Sequence, residues 1–199
     1  MDHPAWQVRP LGVDDLVDLA SLFDASRNTR SCWCTSFCST RTQFAVGWLT
    51  GRNRSRFEAM ASADGPPMGV LASLDGVPVG WAACGPRTRY LVAADGRSGL
   101  LKGLDHHEDE SVWLVPCLFV RAEDRGRGGT HALVRGAVEL ARRHGATAVE
   151  GWPLSTAEPR RGDDFVGREK VFELAGFRCV SRPDPSRVIM RLDLGGGGS

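Results

Sequence analysis

Glycines and arginines alternate over a short polar stretch in the C-terminal half of the chain. Glycine lets a backbone approach a ligand without side chains in the way, and the arginine guanidinium suits phosphate oxygens. An apolar run of strand length precedes the stretch, and apolar residues at helical spacing follow it, so the helix would offer its first N–H groups to an anion. We predict an anion-binding loop, with a plain strand-to-helix turn as the alternative. Its residues are Arg125, Gly126, Arg127, Gly128, Gly129 and Thr130.

This loop differs from two common phosphate-binding motifs. It lacks both the Lys-Ser/Thr ending of a nucleotide triphosphatase loop and the G-x-G-x-x-G spacing of a dinucleotide fold. It also falls about two-thirds of the way along the chain, whereas a dinucleotide loop follows the first strand. We therefore expect a phosphate ligand of another class.

The segment from Arg125 to Gly129 resembles the pyrophosphate loop of the GNAT superfamily, the acyl-CoA-dependent N-acetyltransferases. The family pattern is Arg or Gln, two residues, Gly, one residue, then Gly or Ala. Thr130 departs from the last position but keeps its backbone N–H. Further along, the segment from Val171 to Phe177 is similar to the late helix of this family, which ends in Gly-Phe. Together the matches cover roughly residues 112 to 194, and the rest of the chain fits by element order alone.

The resemblance implies an enzyme that moves an acetyl group from acetyl-CoA directly to a primary amine, without a metal. It implies that the loop holds the CoA pyrophosphate and that the backbone of Leu118, Phe119 and Val120 holds the pantetheine. Many family members protonate the departing thiolate with a tyrosine, but the matching residue here is Phe172, and the only tyrosine is Tyr90. This difference supports the alternative of a non-catalytic acyl-CoA-binding sensor or partner module.

A base must also be in reach, because the amine attacks only after its ammonium form loses a proton. Glu150 stands in an otherwise apolar predicted strand and is our first candidate, with a structural carboxylate paired with an arginine as the alternative. Glu110, with Asp109 and His107 beside it, precedes the central strand and is the second candidate. The charged run around Glu110 is more typical of a solvated loop.

Three cysteines surround Trp33 after the first predicted helix. Thiolates at such spacing bind zinc in some proteins, but a closed site needs four ligands and no histidine is near in sequence, so we predict no metal. The resemblance places this segment on the acceptor side of the cleft and implies that Trp33 faces the substrate, with core packing as the alternative. An acyl-enzyme on Cys117 would need a partner base, and none is evident. The three cysteines are Cys32, Cys34 and Cys38.

The elements that must position these residues follow from apolar runs and turn signals. We predict an α/β fold of the GNAT type, with a mixed, mostly antiparallel sheet of about seven strands, flanked by helices and splayed at the fourth and fifth strands. Asp75-Gly76 indicates a hairpin turn, and Pro116 a bulge in the central strand. The predicted strands are 5–9, 68–74, 77–84, 112–120, 147–152, 177–181 and 187–194, and the helices are 14–23, 40–61 with a break around 47–51, one after the loop, and 164–175.

Length and charge limit the other function classes. A chain of 199 residues with a formal net charge of +1 fits one domain and gives no reason to expect nucleic acid or a membrane surface as a partner. There is no membrane-spanning run or signal-peptide pattern, and the uneven cysteines suggest a reduced cytoplasmic protein. We expect residues 1–194 to form one acetyltransferase domain, followed by a Gly-Ser linker or tag remnant at 195–199. The expected partners are acetyl-CoA and an amine acceptor, and a homodimer is left open.

Overall fold

A computed structural model describes residues 6–90, 109–156 and 165–195. The candidate base His107, most of the predicted solvated loop around it (105–108) and the predicted linker over 196–199 lie outside these residues. In the part of the chain that is described, no helix is long and apolar enough to cross a membrane.

Seven strands form one sheet, and their bounds agree closely with the apolar runs of the sequence. The strands are β1 (Trp6–Pro10), β2 (Gly69–Leu74), β3 (Val77–Pro86), β4 (Val112–Val120), β5 (Ala148–Gly151), β6 (Arg178–Asp184) and β7 (Arg187–Asp193). Their order in the sheet is β1-β2-β3-β4-β5-β7-β6. All neighbours are antiparallel except β4 and β5, which are parallel. The predicted mixed, mostly antiparallel sheet is confirmed.

The parallel pair of β4 and β5 separates halfway along β4. Pairing runs from Val112 with Ala148 to Val115 with Gly151, where β5 ends. The second half of β4 continues to Val120 against β3. The register between β3 and β4 shifts around Pro116, as predicted from the missing N–H of proline. One edge of the second half of β4 therefore has no neighbouring strand among the described residues.

Six helices flank the sheet in the described residues. The predicted helical region 40–61 is two helices that meet at Gly51, where φ is +75°. The short helix Arg27–Cys32 was not predicted, since it carries no apolar periodicity. The last helix begins at Glu169 rather than at 164. The helices are α1 (Leu16–Asp24), α2 (Arg27–Cys32), α3 (Arg41–Thr50), α4 (Arg52–Ala61), α5 (Gly129–Arg143) and α6 (Glu169–Leu174).

The core has a layer on each face of the sheet, because successive strand residues point to opposite faces. Leu133 and Ala137 of α5 pack on one face against residues such as Ala82. On the other face Phe23 of α1 packs with Trp81, the preceding residue of β3. The long amphipathic helix α5 thus fixes the sheet from one side, and α1 and α4, with Trp33 and Cys34 after α2, cover the other.

We predict that Leu133→Ala lowers the free energy of unfolding by about 2–5 kcal/mol, because Leu133 is fully buried and its loss leaves a cavity. Leu49→Ala is the matched control, since Leu49 is a helical leucine that is 85% exposed, and a change within about 0.5 kcal/mol is expected there. Urea denaturation followed by circular dichroism measures both. Equal losses in the two variants would contradict the packing of α5 on the sheet.

Candidate active site

The predicted anion loop lies at the N-terminus of α5. Gly126 and Gly128 have φ angles of +79° and +87°, which glycine adopts without strain. Gly128 is the N-cap residue, and no side chain caps the helix. The N–H of Ala132 donates to the carbonyl of Gly128 at 3.1 Å, so the N–H groups of 129–131 have no partner within the helix. These groups and the helix dipole together favour an anion.

A cleft of about 590 Å³ begins at this loop and extends beside the open half of β4. The loop forms one wall, and α6 with the turn before it forms the other. The lining includes Arg125, His131, Arg168 and Lys170, and among the described residues that line the cleft none is acidic. The cleft therefore carries positive charge beside an uncapped helix N-terminus.

Only one of the two loop arginines lines the cleft. The Nε of Arg125 donates to the carbonyl of Val120 at 3.1 Å, and Arg125 lines the cleft. Arg127 does not line it; its Nη1 donates to Oδ1 of Asp124 at 3.2 Å. Of the two predicted phosphate ligands, the geometry therefore favours Arg125.

Trp6 of β1 fixes the loop from behind. Its indole Nε1 donates to the carbonyl of Arg127 at 2.8 Å. A Cβ atom on Gly129 would lie 2.5 Å from the Trp6 ring, so glycine is needed at this position for packing. Thr130, the departure from the family pattern, is half-buried in the first turn of the helix and lines the cleft.

The open edge of β4 contacts a segment that the sequence did not single out. The N–H of Leu118 donates to the carbonyl of Phe165 at 2.5 Å. A Cβ atom on Gly167 would lie 2.7 Å from Cδ1 of Leu118. Leu118, Phe119 and the last residue of β4, Val120, all line the cleft. The predicted pantetheine segment therefore faces the cleft, with one of its donors held by Phe165.

The ring of Phe172 lies where β4 and β5 part. It is fully buried and packs edge-on against Phe177, with ring centroids 5.2 Å apart. A Cβ atom on Gly151, the last residue of β5, would lie 2.1 Å from the ring. At this position the family resemblance implies a tyrosine, and here the group is apolar. The single tyrosine, Tyr90, lies in a separate buried cluster, where burial raises the pKa of its hydroxyl well above the usual value.

The carboxylate of Glu150 is buried beside the splay and held by two arginines. Glu150 is 1% exposed. Oε1 accepts from Nη1 of Arg87 at 3.2 Å and from Nη1 of Arg191 at 3.1 Å, and Oε2 accepts from Nη1 of Arg87 at 3.1 Å. This is the arginine-paired carboxylate that we gave as the alternative interpretation. Its role as a base stays a prediction.

Glu110 lies away from the cleft. It is exposed in the turn before β4. Val112 and Leu118 are about 20 Å apart along an extended strand, so Glu110 is at the opposite end of β4 from the cleft. The structure does not bring this second candidate base together with the loop.

Trp33 belongs to the core layer on the face of the sheet that α1 covers. It is 4% exposed, and its ring packs edge-on against Phe23 with ring centroids 5.2 Å apart. The guanidinium of Arg54 covers the ring at 5.1 Å. This burial favours the alternative that Trp33 packs in the core. The role of Trp33 as a wall of the substrate site stays a prediction.

Sequence reasoning missed the second wall of the cleft. Phe165 and Arg168 fall in a segment that we predicted to be helical, but the helix begins only at Glu169, after Gly167, where φ is +77°. Gly167 was the sequence signal for this segment, since a glycine in the left-handed region interrupts a helix or delays its start. Lys170 was also missed, because its partner surface is distant in sequence.

The sequence model described as the acetyltransferase (GNAT) family matches residues 33–159, which is more than half of the chain. No curated protein matches the chain.

Solved structures of similar fold cover nearly the whole chain. An acetyltransferase from Thermus thermophilus is 17% identical, with a TM-score of 0.52 over 98% of this chain and 100% of that one. The PaiA N-acetyltransferase from Thermoplasma acidophilum, solved with coenzyme A, is 12% identical, with a TM-score of 0.51 over 95% and 99%. The ribosomal-protein-S18-alanine N-acetyltransferase from Escherichia coli is 11% identical, with a TM-score of 0.51 over 98% and 97%.

At these identities the solved structures support the fold, and the family match identifies the chain. The mostly antiparallel sheet with its parallel β4–β5 pair agrees with this fold. The chain belongs to the GNAT acetyltransferase family and is an acyltransferase.

Proposed function

We propose that the chain moves an acetyl group from acetyl-CoA directly to a primary amine. The observation that carries this proposal is the cleft that joins the uncapped N-terminus of α5 to the open edge of β4. CoA has a matching order of groups, with a pyrophosphate at one end, amides in the middle and the thioester at the other end. The solved complex of the PaiA N-acetyltransferase with coenzyme A supports the same ligand class.

In this proposal the pyrophosphate lies on the N–H groups of 126–131. Arg125 and Lys170 add positive charge along the same cleft, which suits phosphate oxygens. The pantetheine follows the edge of β4, where a pantetheine carbonyl that accepted from the N–H of Leu118 would replace the carbonyl of Phe165. The thioester then lies near the splay at Val115 and Gly151.

Direct transfer needs two proton movements and, in our proposal, no metal. The amine gives up a proton and attacks the thioester carbonyl, and the thiolate of CoA leaves and is protonated. A thiol has a pKa of about 8–9, so the thiolate leaves with little help. An apolar Phe172 in place of a tyrosine is compatible with catalysis for this reason.

The reaction also needs a base that takes the proton from the amine. Glu150 lies beside the splay, whereas Glu110 is at the far end of β4. A carboxylate has about four acceptor positions, and Oε2 of Glu150 accepts a single arginine hydrogen bond among the described residues. We propose Glu150 as the base, acting through the capacity that Oε2 retains.

The cellular setting is also proposed. All six cysteines are free thiols, which suits a reduced cytoplasmic compartment. The acceptor is an amine, and we propose neither nucleic acid nor a membrane as a partner.

We predict that purified protein releases CoA thiol from acetyl-CoA only when a suitable primary amine is present. A panel of small-molecule amines, amino acids and peptide N-termini, followed by a thiol-reactive dye, measures this directly. Mass spectrometry of the acceptor should show the added acetyl group. Tight CoA binding without turnover on any amine would favour the non-catalytic binding module.

We predict that Gly128→Leu lowers the affinity for CoA about tenfold or more, which corresponds to about 1.4 kcal/mol or more. The side chain would cover N–H groups at the start of α5. Gly145→Leu is the matched control, because Gly145 at the other end of the helix also has a positive φ and open space around it. Titration calorimetry gives the affinities, and circular dichroism checks the fold. Equal affinity in the two variants would contradict the loop assignment.

We predict that Glu150→Gln lowers the acetylation rate by about 10²–10⁴-fold while the affinity for acetyl-CoA changes only a few-fold. Glutamine keeps the shape but does not take the proton. Glu169→Gln is the matched control, because Glu169 is also buried and paired with an arginine, Arg182.

Both glutamine variants should lose stability, so rates are compared at a temperature where each is folded. A Glu150→Gln rate within a few-fold of the parent at every pH would remove Glu150 from the mechanism. Loss of stability with an unchanged rate would identify a structural carboxylate.

A further inference from the structure

Two thiols from distant parts of the chain meet inside the core. The Sγ atoms of Cys34 and Cys117 lie 3.0 Å apart, although 83 residues separate them. Cys34 follows α2, and Cys117 lies on β4 immediately before the segment that lines the cleft. The two residues are 5% and 6% exposed. The pair therefore links the helical layer to the central strand.

The backbone at Cys34 is held in an unusual conformation. Trp33 and Cys34 have φ angles of 48° and 49°, in the left-handed region that is costly for residues with a side chain. The Trp33 ring is held by Phe23 and by Phe57, whose ring centroid is 5.8 Å away. Packing of this tryptophan keeps the turn in place and so keeps the Cys34 thiol against Cys117.

The other four thiols have no such neighbour in the described residues. Cys84 donates to the carbonyl of Ala137 at 3.6 Å. Cys32 lies 4.0 Å from the hydroxyl of Ser36, and Cys179 is exposed. The close sulfur contact is thus specific to one pair out of six cysteines.

We propose that Cys34 and Cys117 are a site of reversible oxidation, at which hydrogen peroxide joins the two sulfurs as a disulfide. One sulfur attacks the peroxide and becomes a sulfenic acid, which releases one water. The second sulfur displaces the hydroxyl group of the sulfenic acid, which leaves as a second water. The two thiols lose two electrons and two protons in total, and one peroxide is reduced to two waters.

The surroundings set the rate and the reversibility of this reaction. The hydrogen bond with Cys117 and burial raise the pKa of Cys34 well above that of an ordinary thiol. Neutral thiols react slowly with peroxide, so the pair responds to sustained oxidant. Closing the bond needs a movement of about 1 Å, and a dithiol reductant restores both thiols.

The test is a disulfide map of the full chain. Reduced protein is exposed to hydrogen peroxide for hours, denatured, alkylated with N-ethylmaleimide and analysed by mass spectrometry without reduction. Six alkylated cysteines are expected before oxidation, and in the linked species Cys34 and Cys117 no longer alkylate and appear in one cross-linked peptide pair. Dithiothreitol should return the map to its starting state. Cys84, which is buried with its thiol on the carbonyl of Ala137, is the internal control and should stay alkylatable.

Cysteine variants test whether the cross-link joins Cys34 and Cys117. Cys179→Ser removes the exposed thiol, and the same cross-link should form in that protein. Cys34→Ala and Cys117→Ser, each added to Cys179→Ser, should abolish the cross-link. If one of these core variants does not fold, the disulfide map of the parent protein decides the test. A cross-link between other cysteines, or full alkylation of Cys34 and Cys117 under peroxide that oxidises Cys179, would overturn the proposal.

Discussion

The separation of β4 from β5 is the constraint on which the rest of the site depends. Backbone N–H and C=O groups inside a protein need partners, and an open strand edge offers a row of them. Here the second half of β4 has β3 on one side and the cleft on the other. The carbonyl of Phe165 takes one of these donors. An edge that would be a liability elsewhere becomes a place where an extended ligand can pair.

Different forces hold the paired and the open halves of β4 and β5. Beside the paired half, Glu150 joins Arg87, from the turn after β3, to Arg191 of β7. Removing one partner of such a buried pair costs about 3–5 kcal/mol. At the open half, the Phe172 ring lies against Gly151 with no room for a Cβ atom. The ion pairs therefore fix β5 beside the paired half, and the aromatic ring fills the space where β5 ends.

The parts that the sequence predicted are those encoded locally. The glycine loop, the strand before it and the amphipathic helix after it are contiguous, so spacing alone placed them correctly. Cys34 and Phe165 meet β4 only through tertiary folding, and neither contact has a sequence signal beyond a residue type. Glu150 shows both outcomes: its place in an apolar strand was readable, whereas its two arginine partners come from segments distant in sequence.

In our proposal Glu150 has two roles: its ion pairs hold the sheet, and its carboxylate accepts a proton. These demands oppose each other, because the arginine hydrogen bonds that hold the sheet occupy acceptor positions that a base would offer to the amine. They are compatible only if the proton passes through Glu150 briefly while the arginines stay in place. The thiolate of a thioester leaves readily without an acid. The base then has one task, which is to take one proton from the amine. In our proposal the geometry of the cleft contributes to catalysis beside the base, because it holds the reacting groups in line.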